Sequence, residues 1–157
     1  MRVRTLWIPL LILVAVAAAC FPPGGAVISN FRCPVDGSTY RDDFGEPRSG
    51  GRVHGGIDMR APEGTPVWAV KSGSVRFALE SLGGLVVYLS ADDGNAYYYA
   101  HMSNSAGGNR RVAQGEHIGY VGHTGNATAP HLHFEIRLGG VNGQKANPYS
   151  TLRNAGC

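Results

Sequence analysis

The most regular alternation of hydrophobic and polar residues in the chain lies within residues 129–137. Successive side chains of a β-strand point to opposite faces of the sheet. The hydrophobic members of this segment would therefore share one face and the polar members the other: Leu132, Phe134 and Ile136 on the first, His131, His133 and Glu135 on the second. The pattern predicts a strand that packs one face on the core and presents two imidazoles and a carboxylate on the other.

Further hydrophobic runs of strand length are separated by short turns. They span residues 65–69, 73–79, 84–89, 96–102 and 117–121. The Asp-Asp-Gly-Asn sequence at residues 92–95 favours a type I′ hairpin, because Asp-Gly suits positive φ angles. The fourth run should then carry Tyr97, Tyr99 and His101 on one face. Glycine is frequent and helical periodicity is scarce, so we expect a mainly β protein, a single antiparallel sheet or sandwich domain with a groove.

The start of the chain has the features of an export signal. Arg2 and Arg4 precede an apolar run at residues 6–19, which is shorter than the roughly 20 residues of a membrane-spanning helix and ends in small residues. We expect residues 1–19 to be a removed signal peptide, residues 20–32 a Pro/Gly-rich tether and residues 33–157 the functional domain, with ordered structure beginning near Val27.

Cys20 directly follows these small residues, as in a bacterial lipobox, where the cysteine is lipidated and becomes the mature N-terminus. Ala17 departs from that pattern, which usually has leucine there. The expected product is an exported lipoprotein anchored in the membrane through Cys20 and facing the cell wall or periplasm. The alternative is ordinary cleavage and secretion. Lipidation would leave Cys33 and Cys157, which could pair in an oxidising compartment.

The charge of the mature chain excludes one class of partner. The full sequence has 14 basic and 11 acidic residues, and removal of Arg2 and Arg4 leaves the formal charge near +1. A nucleic-acid-binding domain normally has a pronounced basic surface. We therefore expect no nucleic-acid partner, and we expect a monomer.

Residues 54–58 read His-Gly-Gly-Ile-Asp. A His and an Asp four apart would share a helix face, but each glycine costs a helix about 1 kcal/mol relative to alanine. A tight turn is the better way to bring both side chains to one point.

Three motifs together carry a family resemblance. Residues 54–58 are followed by Tyr-Ala-His-Met at 99–102, and then by Gly-His-Thr-Gly at 122–125, which leads to Pro-His-Leu-His-Phe-Glu at 130–135. In order and spacing, residues 44–149 resemble the lysostaphin/LytM-type zinc endopeptidases, which have the duplicated hybrid motif fold. Ala129 departs from the glycine usual in that family, and His123 departs from a small polar residue.

The resemblance implies one Zn²⁺ per chain, held by His54, Asp58 and His133, with His101 and His131 as the catalytic histidines. Three protein ligands leave a fourth position for water, which is typical of a catalytic zinc site. His131 would then be the general base and His101 the hydrogen-bond donor to the oxyanion, or the two roles could be exchanged.

Other polar residues have two interpretations each. Glu135 could orient an imidazole or be a solvent-exposed strand residue. His117 is favoured as a structural strand residue, and His123 could contact substrate from its glycine-rich turn.

The implied activity is hydrolysis of peptide cross-links in bacterial peptidoglycan, with stem peptides as the substrate partner. A non-catalytic LytM-like module that binds or activates another cell-wall hydrolase is an alternative. Such modules typically lack one or more of the five site residues, all of which this chain retains. A carboxypeptidase that trims stem peptides is a third possibility.

Overall fold

The computed structural model describes residues 27–157. The expected signal peptide, Cys20 and the first part of the tether lie outside these residues. Within the described range, no helix has the length and apolar character needed to cross a membrane.

Ten β-strands, one short α-helix and a 3-10 helix at Ser49–Gly51 make up the described fold. The strands are β1 Ile57–Met59, β2 Pro66–Trp68, β3 Gly73–Glu80, β4 Gly84–Ala91, β5 Ala96–Met102, β6 Asn104–Ser105, β7 Arg110–Val112, β8 His117–Tyr120, β9 Leu132–Leu138 and β10 Gln144–Ala146, and helix α1 is Tyr149–Asn154. The mainly β prediction is confirmed. All six predicted strands are present, whereas the short strands β1, β6, β7 and β10 and helix α1 were not predicted.

The strands form two antiparallel sheets. The larger sheet has the order β1-β9-β5-β4-β3-β7, and β10 pairs with the part of β9 that lies beyond β1. The smaller sheet has the order β2-β8-β6. Strand β9 is therefore bordered by β5 on one side and by β1 and β10 on the other, which places the predicted two-faced strand inside the sheet.

The hydrophobic face of β9 packs in the main core, as predicted. Phe134 is fully buried and stacks on Tyr97 of β5, with ring centroids 6.2 Å apart and planes 8° from parallel. Ile28 and Phe31 pack against the same core. The ordered domain thus includes residues that precede Cys33.

Strand β5 differs from the prediction. Tyr97 and Tyr99 belong to the main core, whereas Tyr98 and Ala100 line the open side of the sheet. The expectation that Tyr97, Tyr99 and His101 share a face is wrong, because His101 has a φ of 65° and the register of β5 with β4 shifts there. This break in the alternation turns the His101 side chain to the open side.

The β4–β5 hairpin forms where predicted, but with a different turn. A type I′ turn needs two successive positive φ angles, and only Gly94 in this connection has one. The Ala91 and Asn95 backbones close the loop, with the Ala91 amide donating to the Asn95 carbonyl at 3.0 Å. The left-handed glycine therefore follows the turn instead of forming its centre.

Candidate metal centre

An open cleft of about 800 Å³ lies on the polar face of the larger sheet. Its floor comes from β5 and β9, and its walls come from the loop before β1, the β3–β4 hairpin and the segment before β9. All five predicted site residues line it: His54, Asp58, His101, His131 and His133.

His54 and Asp58 are brought together by a bend of the chain at Gly56, directly before β1. Asp58 in β1 lies directly opposite His133 in β9. The bend must pass very close to β9, since a Cβ atom on Gly56 would lie 2.2 Å from the Phe134 carbonyl oxygen. Glycine at residue 56 therefore permits the approach that unites the two motifs.

Three potential metal-ligand atoms, one each from His54, Asp58 and His133, meet at one point. His54 Nε2 lies 2.9 Å from Asp58 Oδ1 and 2.9 Å from His133 Nδ1, and the latter two atoms are also 2.9 Å apart. Within residues 27–157, this trio is the group of metal-ligating side chains close enough together to hold an ion.

The hydrogen bonds of the two imidazoles determine which nitrogen carries a proton when the ring is neutral. His54 Nδ1 donates to the Asp43 carbonyl at 2.8 Å. His133 Nε2 donates to Glu135 Oε1 at 3.1 Å. The neutral rings therefore carry free lone pairs on His54 Nε2 and His133 Nδ1, the two nitrogens that face each other.

This set of three ligand atoms fits zinc. Two imidazole lone pairs and a carboxylate oxygen are all hydrogen-bond acceptors, so at 2.9 Å they need a proton or a cation among them. Two imidazoles and one carboxylate are a ligand set of catalytic zinc sites, with hydrogen-bonded second nitrogens on the histidines. His54, Asp58 and His133 could thus hold one Zn²⁺ without changing tautomer.

Protons on the histidines can also separate the three acceptor atoms. Burial lowers the pKa of His54, but its hydrogen bonds to Asp43 and Asp58 outweigh this effect and raise the pKa to about 9. Burial likewise lowers the pKa of His133, but its hydrogen bonds to Asp58 and Glu135 outweigh this effect and raise the pKa overall. Burial would raise the pKa of Asp58, but hydrogen bonds from the two histidines hold it far below its usual range.

Glu135 is 3% exposed, so the interpretation as a solvent-exposed strand residue is wrong. Its carboxylate accepts from His133, from Lys145 Nζ at 2.6 Å and from Arg137 Nε at 2.8 Å. Burial acts to raise the pKa of Glu135, but the His133 and Lys145 hydrogen bonds lower it to about 2. The Glu135 carboxylate therefore orients the His133 ring, in agreement with the other interpretation, that Glu135 orients an imidazole.

Two residues that support the centre, Asp43 and Arg48, were not predicted from the sequence. Arg48 donates to Asp58 Oδ2 at 3.0 Å and to Asp43 Oδ2 at 3.4 Å. The first of these contacts engages Asp58 Oδ2, whereas the histidines contact Asp58 Oδ1. Asp43 and Arg48 both lie in a loop that is rich in glycine, proline and charged residues. Neither spacing nor periodicity distinguishes one polar residue from another there.

His101 and His131 lie beside the three-residue group, with ring centroids 4.7 Å apart. His131 Nε2 is 3.7 Å from Asp58 Oδ1. His101 Nδ1 donates to the Thr124 carbonyl and His131 Nδ1 to the Ala129 carbonyl, both at 2.8 Å. In both neutral rings Nε2 is then the unprotonated nitrogen. Burial lowers the pKa of His101 to about 4, which favours the neutral form.

The remaining predicted histidines lie elsewhere. His117 Nε2 bonds to the Gly119 carbonyl at 2.8 Å, and its ring contacts Trp68 and Tyr120, in agreement with a structural role. His123 pairs with Glu63 at 2.9 Å and does not line the cleft. Its turn contributes instead through Thr124, whose carbonyl holds His101.

Relatives with similar sequences are known from bacteria. The chain is 44% identical over 100 residues to the DD-carboxypeptidase/endopeptidase Mpg of Neisseria meningitidis, an alignment covering 63% of this chain and 23% of the relative. It is 36% identical over 92 residues to the peptidoglycan DD-endopeptidase ShyC of Vibrio cholerae, covering 57% and 21%. The matched part thus spans less than a quarter of either relative.

The fold is also similar to a solved structure. The catalytic domain of the antimicrobial peptidase lysostaphin from Staphylococcus simulans matches with a TM-score of 0.67 and 31% identity, over 74% of this chain and 92% of that domain. The family model for peptidase family M23 matches residues 52–148, which include all five residues at the centre. The chain therefore belongs to peptidase family M23, a family of zinc-dependent metallopeptidases.

Proposed function

We propose that this protein is an exported zinc endopeptidase that hydrolyses peptide cross-links in bacterial peptidoglycan. The observation that carries the proposal is the meeting of His54, Asp58 and His133 on the cleft floor, with two further imidazoles beside them. A binding module needs no such arrangement, whereas metal-assisted hydrolysis uses both a metal site and a proton acceptor.

The chain's own residues would hold one Zn²⁺ through His54 Nε2, Asp58 Oδ1 and His133 Nδ1. When bound, the ion supplies a Lewis acid that lowers the pKa of a water molecule and polarises a carbonyl group. Asp43 and Glu135 fix the two imidazole tautomers, and Arg48 binds Asp58 Oδ2. The ligands are thereby positioned before the ion arrives.

His131 and His101 would transfer the proton. Each directs its Nδ1–H to a backbone carbonyl, so each offers an unprotonated Nε2 as a base. His131 Nε2 is already close to Asp58, which supports it as the group that accepts the proton of the attacking water. A neutral His101 cannot donate from Nε2, so stabilisation of an oxyanion by this residue requires that it first take up a proton. If the two histidines exchange roles, His131 must likewise take up a proton on Nε2 before it can donate to the oxyanion, and His101 then acts as the base.

Peptidoglycan as the substrate is supported by the relatives. ShyC is a peptidoglycan DD-endopeptidase, and lysostaphin is an antimicrobial peptidase. The export signal would deliver this chain to the compartment that contains the same polymer. Stem peptides joined by cross-links are then the partner that the cleft receives.

Analysis of digested peptidoglycan tests the proposal. Purified wild-type protein incubated with cross-linked sacculi should convert cross-linked muropeptide dimers into monomers, and His133→Ala should not. Unchanged dimers with zinc-loaded wild-type protein would contradict endopeptidase activity and favour a non-catalytic module.

Carboxypeptidase activity is a second candidate, favoured by the relative Mpg, a DD-carboxypeptidase/endopeptidase, and by one side chain. Arg52 lines the cleft, and in the described part of the chain its guanidinium contacts Ser49 but no carboxylate. It could therefore bind the free carboxylate of a stem-peptide terminus. Release of D-Ala from uncrosslinked pentapeptides in the same assay would show this activity.

We further propose the organisation of the exported protein. Residues 1–19 are removed as a signal peptide, Cys20 carries the lipid anchor, residues 20–32 include the tether, and the domain acts as a monomer. The apolar run before Cys20 supports this organisation, and the membrane association of a Cys20→Ala variant tests the anchor.

A further inference from the structure

We infer that Cys33 and Cys157 form a disulfide bond in the exported protein, linking the segment that enters the domain to the residue that follows helix α1. The inference rests on the position of the two side chains in the folded domain together with the export signal. It does not depend on the proposed peptidase activity.

The two cysteines are distant in sequence and neighbours in the fold. Cys33 is buried in the main core, and Cys157, which is half-buried, packs against that core. The structure holds both as thiols. The two residues thus belong to the same packed cluster, and the mutual influence of their thiols, which lowers the pKa of Cys33 and raises that of Cys157, agrees with this packing.

The surrounding contacts keep the two segments together without a covalent bond. The Ile28 amide donates to Thr151 Oγ1 of α1 at 3.1 Å, and the Tyr40 hydroxyl donates to the Cys157 carbonyl at 3.3 Å. The Cys157 amide donates to the Leu152 carbonyl at 3.1 Å. The thiols are therefore held near each other by the fold, which lowers the conformational cost of oxidation.

Formation of the bond requires an oxidant of the exported compartment, and we assign this role to a disulfide-bearing thiol–disulfide carrier. A thiolate of the pair attacks a carrier sulfur, which breaks the carrier disulfide and gives a mixed disulfide. The second cysteine then attacks the mixed disulfide. The Cys33–Cys157 bond forms, and the carrier leaves as a dithiol with the two electrons and two protons.

The bond would close a loop of more than 120 residues, which contains every strand of the described fold. Cross-links of long loops restrict the unfolded chain most in the chain-entropy model. The bond would thus stabilise the domain as a whole.

Peptide mapping tests the inference directly. The full chain is exported into an oxidising periplasm, purified, denatured, alkylated without reductant and digested with trypsin. Trypsin releases residues 33–41 and 154–157 as separate peptides, so we expect one cross-linked species that disappears on prior reduction. Full alkylation of both peptides without reductant would overturn the inference, as would a cross-link from Cys20 to either cysteine.

Thermal unfolding gives an independent test. A non-thiol phosphine reductant should lower the melting temperature of the wild type by about 5 to 15 °C. Cys33→Ser, Cys157→Ser and the double variant should lose this response, whereas Cys20→Ser should keep it. An equal melting temperature of the wild type with and without reductant would contradict a stabilising bond, and metal analysis before and after treatment excludes zinc loss as the cause of a shift.

Discussion

His54 Nε2 and His133 Nδ1 lie 2.9 Å apart, although the second nitrogen of each ring donates to an acceptor of its own. Two neutral imidazoles in this arrangement direct lone pairs at each other. A proton or a metal cation between them removes the repulsion, and the nearby Asp58 oxygen provides the anionic third ligand. The pair is therefore built for a cation, and the zinc dependence of the family identifies it.

The first prediction concerns the ligands. Wild-type protein should bind about one zinc per chain, and His54→Ala, Asp58→Ala and His133→Ala should each lose it, because two ligands cannot hold the ion tightly. Elemental analysis of the purified variants measures this directly. His123→Ala is the matched control, since His123 lies outside the cleft. Full zinc occupancy in all three ligand variants would remove these residues from the site.

The second prediction concerns Glu135. Glu135→Ala should weaken zinc binding by about 10- to 100-fold, because the His133 ring loses the acceptor that fixes its tautomer. Glu135→Gln should have a smaller effect, since its amide oxygen can still accept from His133 Nε2. Competition with a chromophoric chelator measures the affinities, and circular dichroism checks the fold. Equal affinities of Glu135→Ala and the wild type would show that the carboxylate does not support the ligand.

A third prediction tests the close approach of the bend at Gly56 to β9. Gly56→Ala should destabilise the domain by about 1 to 3 kcal/mol, because its Cβ atom would overlap the Phe134 carbonyl 2.2 Å away. Gly108→Ala is the control, since no heavy atom lies within 4 Å of its Cβ position. Urea denaturation of both variants gives the difference. A Gly56→Ala variant as stable as Gly108→Ala would mean that the bend relaxes freely.

The fourth prediction concerns export. Cys20→Ala should release the protein from the membrane fraction or block its maturation, because the acceptor for the lipid is removed. Fractionation of cells followed by immunoblotting measures the distribution. If the variant matured and divided between the membrane and soluble fractions as the wild type does, ordinary secretion or an uncleaved anchor would replace the lipoprotein hypothesis.

Much of the centre was predictable because its residues lie in short motifs with strand or turn geometry. The alternation through β9 predicted the faces of His131, His133 and Phe134, and the glycine pair indicated a change of chain direction before Asp58, which the structure makes as a bend at Gly56. In β5 the same rule of alternation failed. The left-handed conformation of His101 depends on contacts with Gly83 and Thr124, distant in sequence, and local pattern does not report them.

The supporting residues were beyond prediction for a related reason. Asp43 and Arg48 lie in an irregular loop, and they reach the centre only because the loop folds back over β1. Glu135 was identifiable as a member of the polar face, but its carboxylate is paired with Lys145 from β10, a strand too short and polar to be recognised. Its tertiary contacts, and not its sequence context, decide between the two interpretations.

The central claim separates metal binding at one group of residues from proton transfer at another. The most direct test measures zinc content and cleavage of cross-linked muropeptides on the same preparations of wild type, His101→Ala, His131→Ala and His123→Ala. We expect full zinc in all four. The rate should fall by about 10² to 10⁴-fold where a general acid or base is lost and by about 10² to 10³-fold where an oxyanion donor is lost, with only a modest change for His123→Ala. Wild-type rates in both His101→Ala and His131→Ala, or loss of zinc from His131→Ala with retention in His133→Ala, would contradict the account.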